Sequence, residues 1–318
     1  MLADRGTQGD HFTLYNCKAL HEKNIPFDIL FSNHDFEFLC AYWLGKKNNK
    51  PGNLENIHNS FMFFGIEGNK LTHSTYVTAK LAKEGLITDR DIEDLVENYY
   101  LPHLNLLSYT VTEDGIVIYT HAPISFGIIE ATAQNFGVAY DASSPIKLAI
   151  TIDNINKHFR ENHLRKGEKI LAEKETIFEA AGLLRQNHDR HTAYLLDFTI
   201  DNNDYSQQQK LAFKKIPKEK QFAYLISTFM WASRNDSTKQ IPSNYKVHFV
   251  HGHDTQENTP NKTCLNSVFG QPRCPVASDV HPYKSFSSLP APLEKHIKEI
   301  DAICKKLKSR YQDKEATF

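Results

Sequence analysis

The sequence lacks long apolar runs and carries almost no net charge. No stretch of about 18 consecutive apolar residues occurs, which argues against a membrane-spanning helix. A formal net charge of −1 over 318 residues does not provide the basic surface that attracts nucleic acids or anionic membranes. The first residues also lack the basic start and the apolar core of a secretory signal peptide. We therefore expect a cytoplasmic protein that neither binds nucleic acid nor spans a membrane.

Cysteine is scarce, and its few copies are scattered. The five cysteines are Cys17, Cys40, Cys264, Cys274 and Cys304. Their number is odd and no two have the CxxC spacing of a zinc knuckle or a redox motif. This pattern predicts reduced thiols rather than a disulfide scaffold.

Histidine is the abundant functional residue, with 16 copies. Histidine is the commonest metal ligand in proteins and the usual acid or base near neutral pH. Most of the copies are expected at the surface or in hydrogen bonds. Six of them have polar sequence neighbours and receive no predicted role: His58, His73, His158, His163, His281 and His296.

Strand and helix signals alternate along the chain. The clearest is a hairpin, in which Asp114-Gly115 separates two β-rich runs, 104–112 and 116–120. Two further short apolar strands are predicted over 27–31 and 245–250, and 264–269 is a weaker candidate. Helical spacing is found at 13–23, 36–44, 146–165, 173–187, 207–213, 221–232 and 294–311, and residues 54–103 are predicted to be mainly helical.

Three of the predicted strands end at histidine. The strand 27–31 leads to His34, the strand 116–120 leads to His121, and the strand 245–250 leads to His251 and His253. In layered α/β folds, functional sites lie in the loops beyond strand ends. The pattern therefore predicts a layered α/β fold in which these strand ends meet at one site.

The residue types at these strand ends suit a metal site that handles phosphate. Imidazole nitrogen and amide oxygen, mixed with carboxylates, favour Mn, Fe or Zn over a thiolate-bound metal. Two such ions about 3.5–4 Å apart can stabilise the attacking and leaving oxygens of phosphoryl transfer. Arginine binds phosphate through two parallel hydrogen bonds, and Arg5 and Arg234 are the candidates.

The order of motifs resembles that of the PPP-type serine/threonine phosphatases, which are calcineurin-like metallophosphoesterases. The matching motifs are Asp4-Arg5-Gly6, Asn33-His34-Asp35, His121-Ala122-Pro123, Trp231-Ala232-Ser233-Arg234 and Gly252-His253-Asp254. The helical stretch 130–230 and the later Pro-rich region also resemble the Wip-type effector phosphatases of Legionella.

The resemblance implies an α+β layered fold, in which a calcineurin-like β-sandwich is flanked by helices and carries helical insertions at about 45–103 and 130–230. It assigns residues 1–280 to a metallophosphoesterase-like domain and leaves a Pro/Ser-rich loop and a helix at 281–318. It also implies a metal-dependent phosphoprotein phosphatase with two divalent ions, and delivery to a host cytosol if the protein is an effector.

The resemblance also assigns metal ligands. Asn33, through its amide oxygen, His121 and His253 are the implied ligands of one metal ion. The family motif places the ligand after a glycine, as at Gly252-His253, and His251 is the alternative. A hydroxide on the metal would attack the phosphorus in line, without a covalent enzyme intermediate.

The remaining implied roles concern the leaving group and the phosphate. His34 would be the general acid that protonates the leaving oxygen, and Asp4 would orient it. Arg5 and Arg234 would hold the phosphate.

The sequence departs from the family pattern in ways that lower the expected activity. A Gly-Asp-x-His-Gly motif is absent, and the second family motif is present only from Asp4 onward. The first strand and the ligands of the first metal are therefore expected to be missing, as in an N-terminally truncated chain, and we expect weak phosphatase activity or none. Asp35 also stands where the family has glutamate, which is expected to alter the support of the neighbouring ligand.

Two other functions fit the same residues. A pseudophosphatase that keeps Arg5 and Arg234 would bind phosphopeptides without hydrolysing them. Alternatively, the same fold would act on dinucleoside polyphosphates or cyclic nucleotides.

Overall fold

The structure is a computed structural model, and it describes residues 9–48, 65–67, 70–72, 76–165, 167–186, 216–232, 244–252 and 261–264. All of them belong to one compact unit, Met1–Ala277. The predicted domain division near residue 280 lies outside the described residues and stays a prediction, as do the proposed helices at 207–213 and 294–311.

The described chain is a mixture of helices and strands. The α-helices are α1 (Gly9–Glu22), α2 (Asn33–Lys47), α3 (Tyr76–Lys83), α4 (Asp89–Asp94), α5 (Phe126–Phe136), α6 (Pro145–Phe159), α7 (Glu168–Gln186) and α8 (Lys218–Trp231). The strands are β1 (Ile29–Leu30), β2 (Gly65–Glu67), β3 (Lys70–Thr72), β4 (Leu104–Asn105), β5 (Leu107–Val111), β6 (Gly115–Thr120), β7 (Lys246–His251) and β8 (Lys262–Cys264). Two π-helical segments, Leu95–Tyr100 and Arg160–Leu164, continue α4 and α6, and a 3₁₀ turn, Leu101–His103, leads into β4.

A four-stranded sheet has the order β5-β6-β7-β8. Strands β5 and β6 form the predicted antiparallel hairpin, and β7 and β8 add to it in parallel. Gly115, where β6 begins, must be glycine, because a Cβ there would lie 1.9 Å from the carbonyl oxygen of Lys246 on β7. The close approach of β6 and β7 at this end sets the register in which their other ends meet.

A second, parallel pair of strands leads into the site. β1 pairs with β4 through Ile29↔Leu104 and Leu30↔Asn105. The pairing continues for one more residue, because the N–H of Phe31 donates to the carbonyl of Asn105 at 2.8 Å. The chain then turns at Ser32 into α2.

The prediction that 54–103 is mainly helical is wrong at residues 65–67 and 70–72, which form the antiparallel hairpin β2–β3. The two residues between these strands are Gly68-Asn69, a pair typical of tight hairpin turns. The other helical predictions within the described residues are confirmed over most of their length: 13–23 lies in α1 as far as Glu22, 36–44 in α2, 146–165 in α6 and its π-helical extension as far as Leu164, 173–187 in α7 as far as Gln186, and 221–232 in α8 as far as Trp231.

Aromatic residues from several elements form the core behind β1 and α2. Phe31 is fully buried, and its ring lies 5.1 Å from that of Phe159 on α6. Phe36 on α2 meets Trp231 on α8 edge to face, with ring centroids 6.0 Å apart. Helix α7 packs against both α8 and α2, so these helices help to hold α2 in place.

His163 is buried, although its polar sequence neighbours are typical of a surface histidine. It is 3% exposed, and its ring stacks on Phe222 with centroids 3.8 Å apart and planes 8° apart. Burial, with smaller effects from Lys169 and His158, lowers the pKa of His163 to about 3. The flanking residues could not predict this burial, because it depends on where the fold places the side chain.

None of the helices within the described ranges has the length and hydropathy needed to cross a membrane.

Candidate active site

The carboxyl ends of β6 and β7 lie side by side. In the parallel register Thr120 is opposite His251, so the chain leaves both strands at the same edge of the sheet. The N–H of Gly252 donates to the carbonyl oxygen of His121 at 2.9 Å. His121 and His251 are both buried, at 5% and 2% exposure. This is the edge at which open parallel sheets place their sites.

The segment after β1 begins a helix rather than a loop. Ser32 is the N-cap of α2, and Asn33 and His34 are the first two helical residues. The Ser32 hydroxyl accepts from the N–H of Asp35, and the Asp35 carboxylate accepts from the N–H of Ser32. Two otherwise unsatisfied N–H groups are thereby paired in a capping box. The sequence SNHD therefore holds Asn33 at a defined point just beyond β1.

Asn33 and His121 are in direct contact. Asn33 Oδ1 lies 2.9 Å from His121 Nε2, and the Asn33 side chain is buried at 3% exposure. The contact joins the ends of β1 and β6, which are 88 residues apart in sequence. The structure thus brings together two of the three residues predicted to bind one metal ion.

The separation of these two atoms fits a shared divalent metal. Ligand atoms about 2.0–2.2 Å from one ion and at right angles to each other lie about 3 Å apart. Imidazole nitrogen and amide oxygen also belong to the ligand set that Mn, Fe and Zn accept. Without a metal, the same distance suits a hydrogen bond in which His121 Nε2–H donates to the amide oxygen. The two residues therefore fit the predicted ion and are already held together by their own contact.

The other predicted residues are placed less completely. His34 is half-buried in the first turn of α2, next to Asn33. Asp4, Arg5, Arg234 and His253 lie outside the described residues, so their positions and roles stay predictions.

Sets of histidine, cysteine, aspartate and glutamate side chains are the usual metal ligands in proteins. Within the described ranges no group of three or more such side chains is arranged to hold a metal ion. The predicted set differs in kind, because one ligand is an amide and another, His253, is outside those ranges. His251 is described and remains the alternative to His253.

The sequence did not predict a polar network next to Asn33, formed by Ser32, Asp35 and Tyr100. The carboxylate of Asp35 is fully buried; its Oδ2 accepts from the Ser32 hydroxyl at 2.6 Å and its Oδ1 accepts from the Tyr100 hydroxyl at 2.7 Å. Burial, then the charge and the hydrogen bond of Asp35, raise the pKa of Tyr100 well above its ordinary value, so its hydroxyl stays a donor. The spacing S-x-x-D could have identified the part played by Asp35, but no local signal identified Tyr100.

Comparison with known families identifies the family of the chain. The profile of the WipA-like phosphatase domain family matches residues 1–271. The chain therefore belongs to the WipA-like phosphatase domain family, and it is a phosphatase by that membership. The predicted resemblance to Wip-type effector phosphatases is confirmed.

A solved structure is also similar to this chain. It is the crystal structure of the phosphatase domain from the Legionella effector WipB, with 26% sequence identity and a TM-score of 0.48. The similarity covers 77% of this chain and 67% of that one. No curated protein sequence matches the chain.

Proposed function

We propose that this phosphatase is a metal-dependent phosphomonoesterase with a calcineurin-like sandwich and phosphoprotein substrates. The observation that carries the proposal is the contact between Asn33 Oδ1 and His121 Nε2 at the meeting point of three strand ends. Membership of a phosphatase family makes phosphate hydrolysis the reaction that this contact would serve. An amide oxygen and an imidazole buried together at strand ends are a ligand pair suited to a hard divalent ion.

In this proposal Asn33, His121 and His253 hold a Mn, Fe or Zn ion, with His251 as the alternative to His253. A bound ion of this kind would lower the pKa of a water molecule to about 7 and offset the negative charge of the phosphate. Asn33 and His121 hold their ligand atoms, Oδ1 and Nε2, in rigid positions. Asn33 directly follows the N-cap of α2, and His121 directly follows the paired strand β6. Such fixed ligands do not have to be reorganised during the reaction.

The leaving group and the phosphate are assigned to neighbouring residues. His34 is placed next to Asn33 by the first turn of α2. Its imidazole would donate a proton to the departing oxygen, with Asp4 holding the ring in orientation. Arg5 and Arg234 would bind the phosphate oxygens through paired N–H donors.

The effector relationship of the family leads to a proposed location. A protein related to Wip-type effectors would act in the cytosol of a host cell, on host phosphoproteins. The preference among phosphoserine, phosphothreonine and phosphotyrosine is part of what the experiment measures.

The test is phosphate release by the purified chain from p-nitrophenyl phosphate and from phosphopeptides. We expect slow release that stops with EDTA and returns with added Mn²⁺. Asn33→Ala and His121→Ala should weaken Mn²⁺ binding in calorimetry by more than the roughly 10-fold to 100-fold loss that follows from removing a group that only supports a ligand. His21→Ala is the matched control, because it removes an exposed imidazole from α1.

Four results would contradict the proposal. Release that persists in EDTA would exclude the metal, and unchanged Mn²⁺ binding in both alanine variants would exclude the assigned ligands. Phosphopeptide binding without metal and without any hydrolysis would favour the pseudophosphatase. Faster hydrolysis of dinucleoside polyphosphates or cyclic nucleotides than of phosphopeptides would change the substrate class.

A further inference from the structure

A buried hydrogen bond connects the segment before β4 to the helix start that carries Asn33. Tyr100 ends the π-helix Leu95–Tyr100, and its hydroxyl donates to Asp35 Oδ1 at 2.7 Å. Both side chains are fully buried. A carboxylate at such depth requires donors, because an unsatisfied buried charge is costly.

The hydrogen bonds to Asp35 come from donors at different distances along the sequence. Those from the N–H and the hydroxyl of Ser32 are local, and they form the cap of α2. The bond from Tyr100 spans 65 residues and comes from a different element. The local bonds define the helix start, whereas the Tyr100 bond fixes where that start lies relative to the rest of the fold.

The ring of Tyr100 is itself held in place. It packs edge to face against Phe38, one turn further along α2, with ring centroids 6.0 Å apart. The hydroxyl is therefore presented to Asp35 by a rigid side chain. A π-helical turn changes the angular position of the residues that follow it, and such turns are frequent at functional sites.

We propose that Tyr100 is a positioning residue of the active site, which acts through Asp35 to hold Asn33 Oδ1 at His121. This inference rests on the proposed function. Asn33 and Asp35 belong to the same first turn of α2, so a shift of the Asp35 carboxylate moves the Asn33 amide with it. Groups that orient a metal ligand typically contribute about 10-fold to 100-fold to metal affinity or activity.

The first experiment compares Tyr100→Phe with Tyr109→Phe. Both variants remove a tyrosine hydroxyl that donates to an aspartate, since Tyr109 donates to Asp153 at 2.8 Å. Tyr109 lies on β5 and its partner on α6, and neither of these elements carries a predicted site residue. We expect Tyr100→Phe to weaken Mn²⁺ binding in calorimetry by about 10-fold to 100-fold and to lower kcat with little change in KM. Tyr109→Phe should leave the metal affinity and kcat at wild-type values.

A second variant, Asp35→Asn, tests whether Tyr100 acts through Asp35. Asp35→Asn retains the shape of the side chain but turns one acceptor into a donor. If Tyr100 acts through Asp35, the losses in metal affinity from the two single variants should not add in the double variant. Additive losses would show that Tyr100 acts independently of Asp35 and would overturn the inference.

Two outcomes separate this inference from the proposed function. If Asn33→Ala abolishes Mn²⁺ binding while Tyr100→Phe lowers only the melting temperature, Tyr100 is structural and the inference alone fails. If Asn33→Ala leaves Mn²⁺ binding unchanged, the proposed ligand set fails, and the inference fails with it.

Discussion

The N–H of Gly252 donates a 2.9 Å hydrogen bond to the carbonyl oxygen of His121. This bond extends the pairing of β6 and β7 beyond the last paired residues of the sheet. The chain that leads to His253 therefore starts beside His121, while Asn33 approaches from β1. Backbone pairing thus sets His121 in place.

The contact of Asn33 with His121 should contribute to stability in metal-free protein. Removing either partner leaves a buried polar group without that hydrogen bond, at a cost of about 1–3 kcal/mol. In a double-mutant cycle of Asn33→Ala and His121→Ala, unfolded by urea in EDTA, we expect a coupling energy of about 0.5–1.5 kcal/mol. A coupling energy indistinguishable from zero would mean that the two side chains do not interact in solution.

Gly115→Ala should weaken the sheet at the end opposite the site. The added Cβ would meet the carbonyl oxygen of Lys246, so β6 and β7 would have to move apart. We expect a loss of about 1–3 kcal/mol in the free energy of unfolding, as for other overpacked sites. Glu113→Ala, at an exposed residue of the same turn, is the control and should change stability by less than about 0.5 kcal/mol. Equal effects of the two variants would argue against this close approach.

Local signals explain which parts of the fold the sequence could predict. The hairpin around Asp114-Gly115 has a turn residue pair and β-rich flanks within a few positions. The strands β1, β6 and β7 are short apolar runs followed by polar residues, and their ends could be located without knowing the fold. The resemblance then supplied the pairing of Asn33 with His121, which no spacing in the sequence defines.

The missed features depend on tertiary structure or on a change of helical period. Tyr100 ends a π-helical segment, residues 95–100, and a search for the 3.6-residue period cannot locate a residue on a π-turn. His163 is buried by Phe222, which is far from it in sequence. The hairpin β2–β3 is an exception, because its Gly68-Asn69 signal is local but lies between segments with helical patterns.

His163 should make the protein less stable in acid. Its pKa is lowered from 6.5 in the unfolded chain to about 3 in the fold. The unfolded state therefore binds a proton that the folded state does not bind over this range. The contribution of the neutral ring is complete above about pH 6.5 and is lost as the pH falls toward about 3, with a slope approaching 1.4 kcal/mol per pH unit.

The variant His163→Phe isolates this effect, because phenylalanine can stack on Phe222 but cannot be protonated. We expect the stability difference between variant and wild type, measured by urea unfolding, to move in favour of the variant between pH 7.5 and pH 5. The measurement at pH 7.5, where both rings are neutral, is the internal baseline. A difference that does not change with pH would show that His163 is protonated equally in both states.

A comparison of two N-caps can separate the effect of a lost cap on stability from its effect on activity. Ser32 caps α2, which carries Asn33 and His34, and Ser144 caps α6 by accepting from the N–H of Lys147 at 3.3 Å. Loss of either hydroxyl should cost about 1 kcal/mol of stability, the usual effect of removing an N-cap. Ser32→Ala should also lower phosphatase activity and Mn²⁺ affinity, because the capping box holds the turn that presents Asn33. Ser144→Ala should leave both at wild-type values, since α6 carries no predicted site residue. A matched loss of activity in the two variants would mean that activity follows global stability, and that the cap of α2 has no separate part in shaping the site.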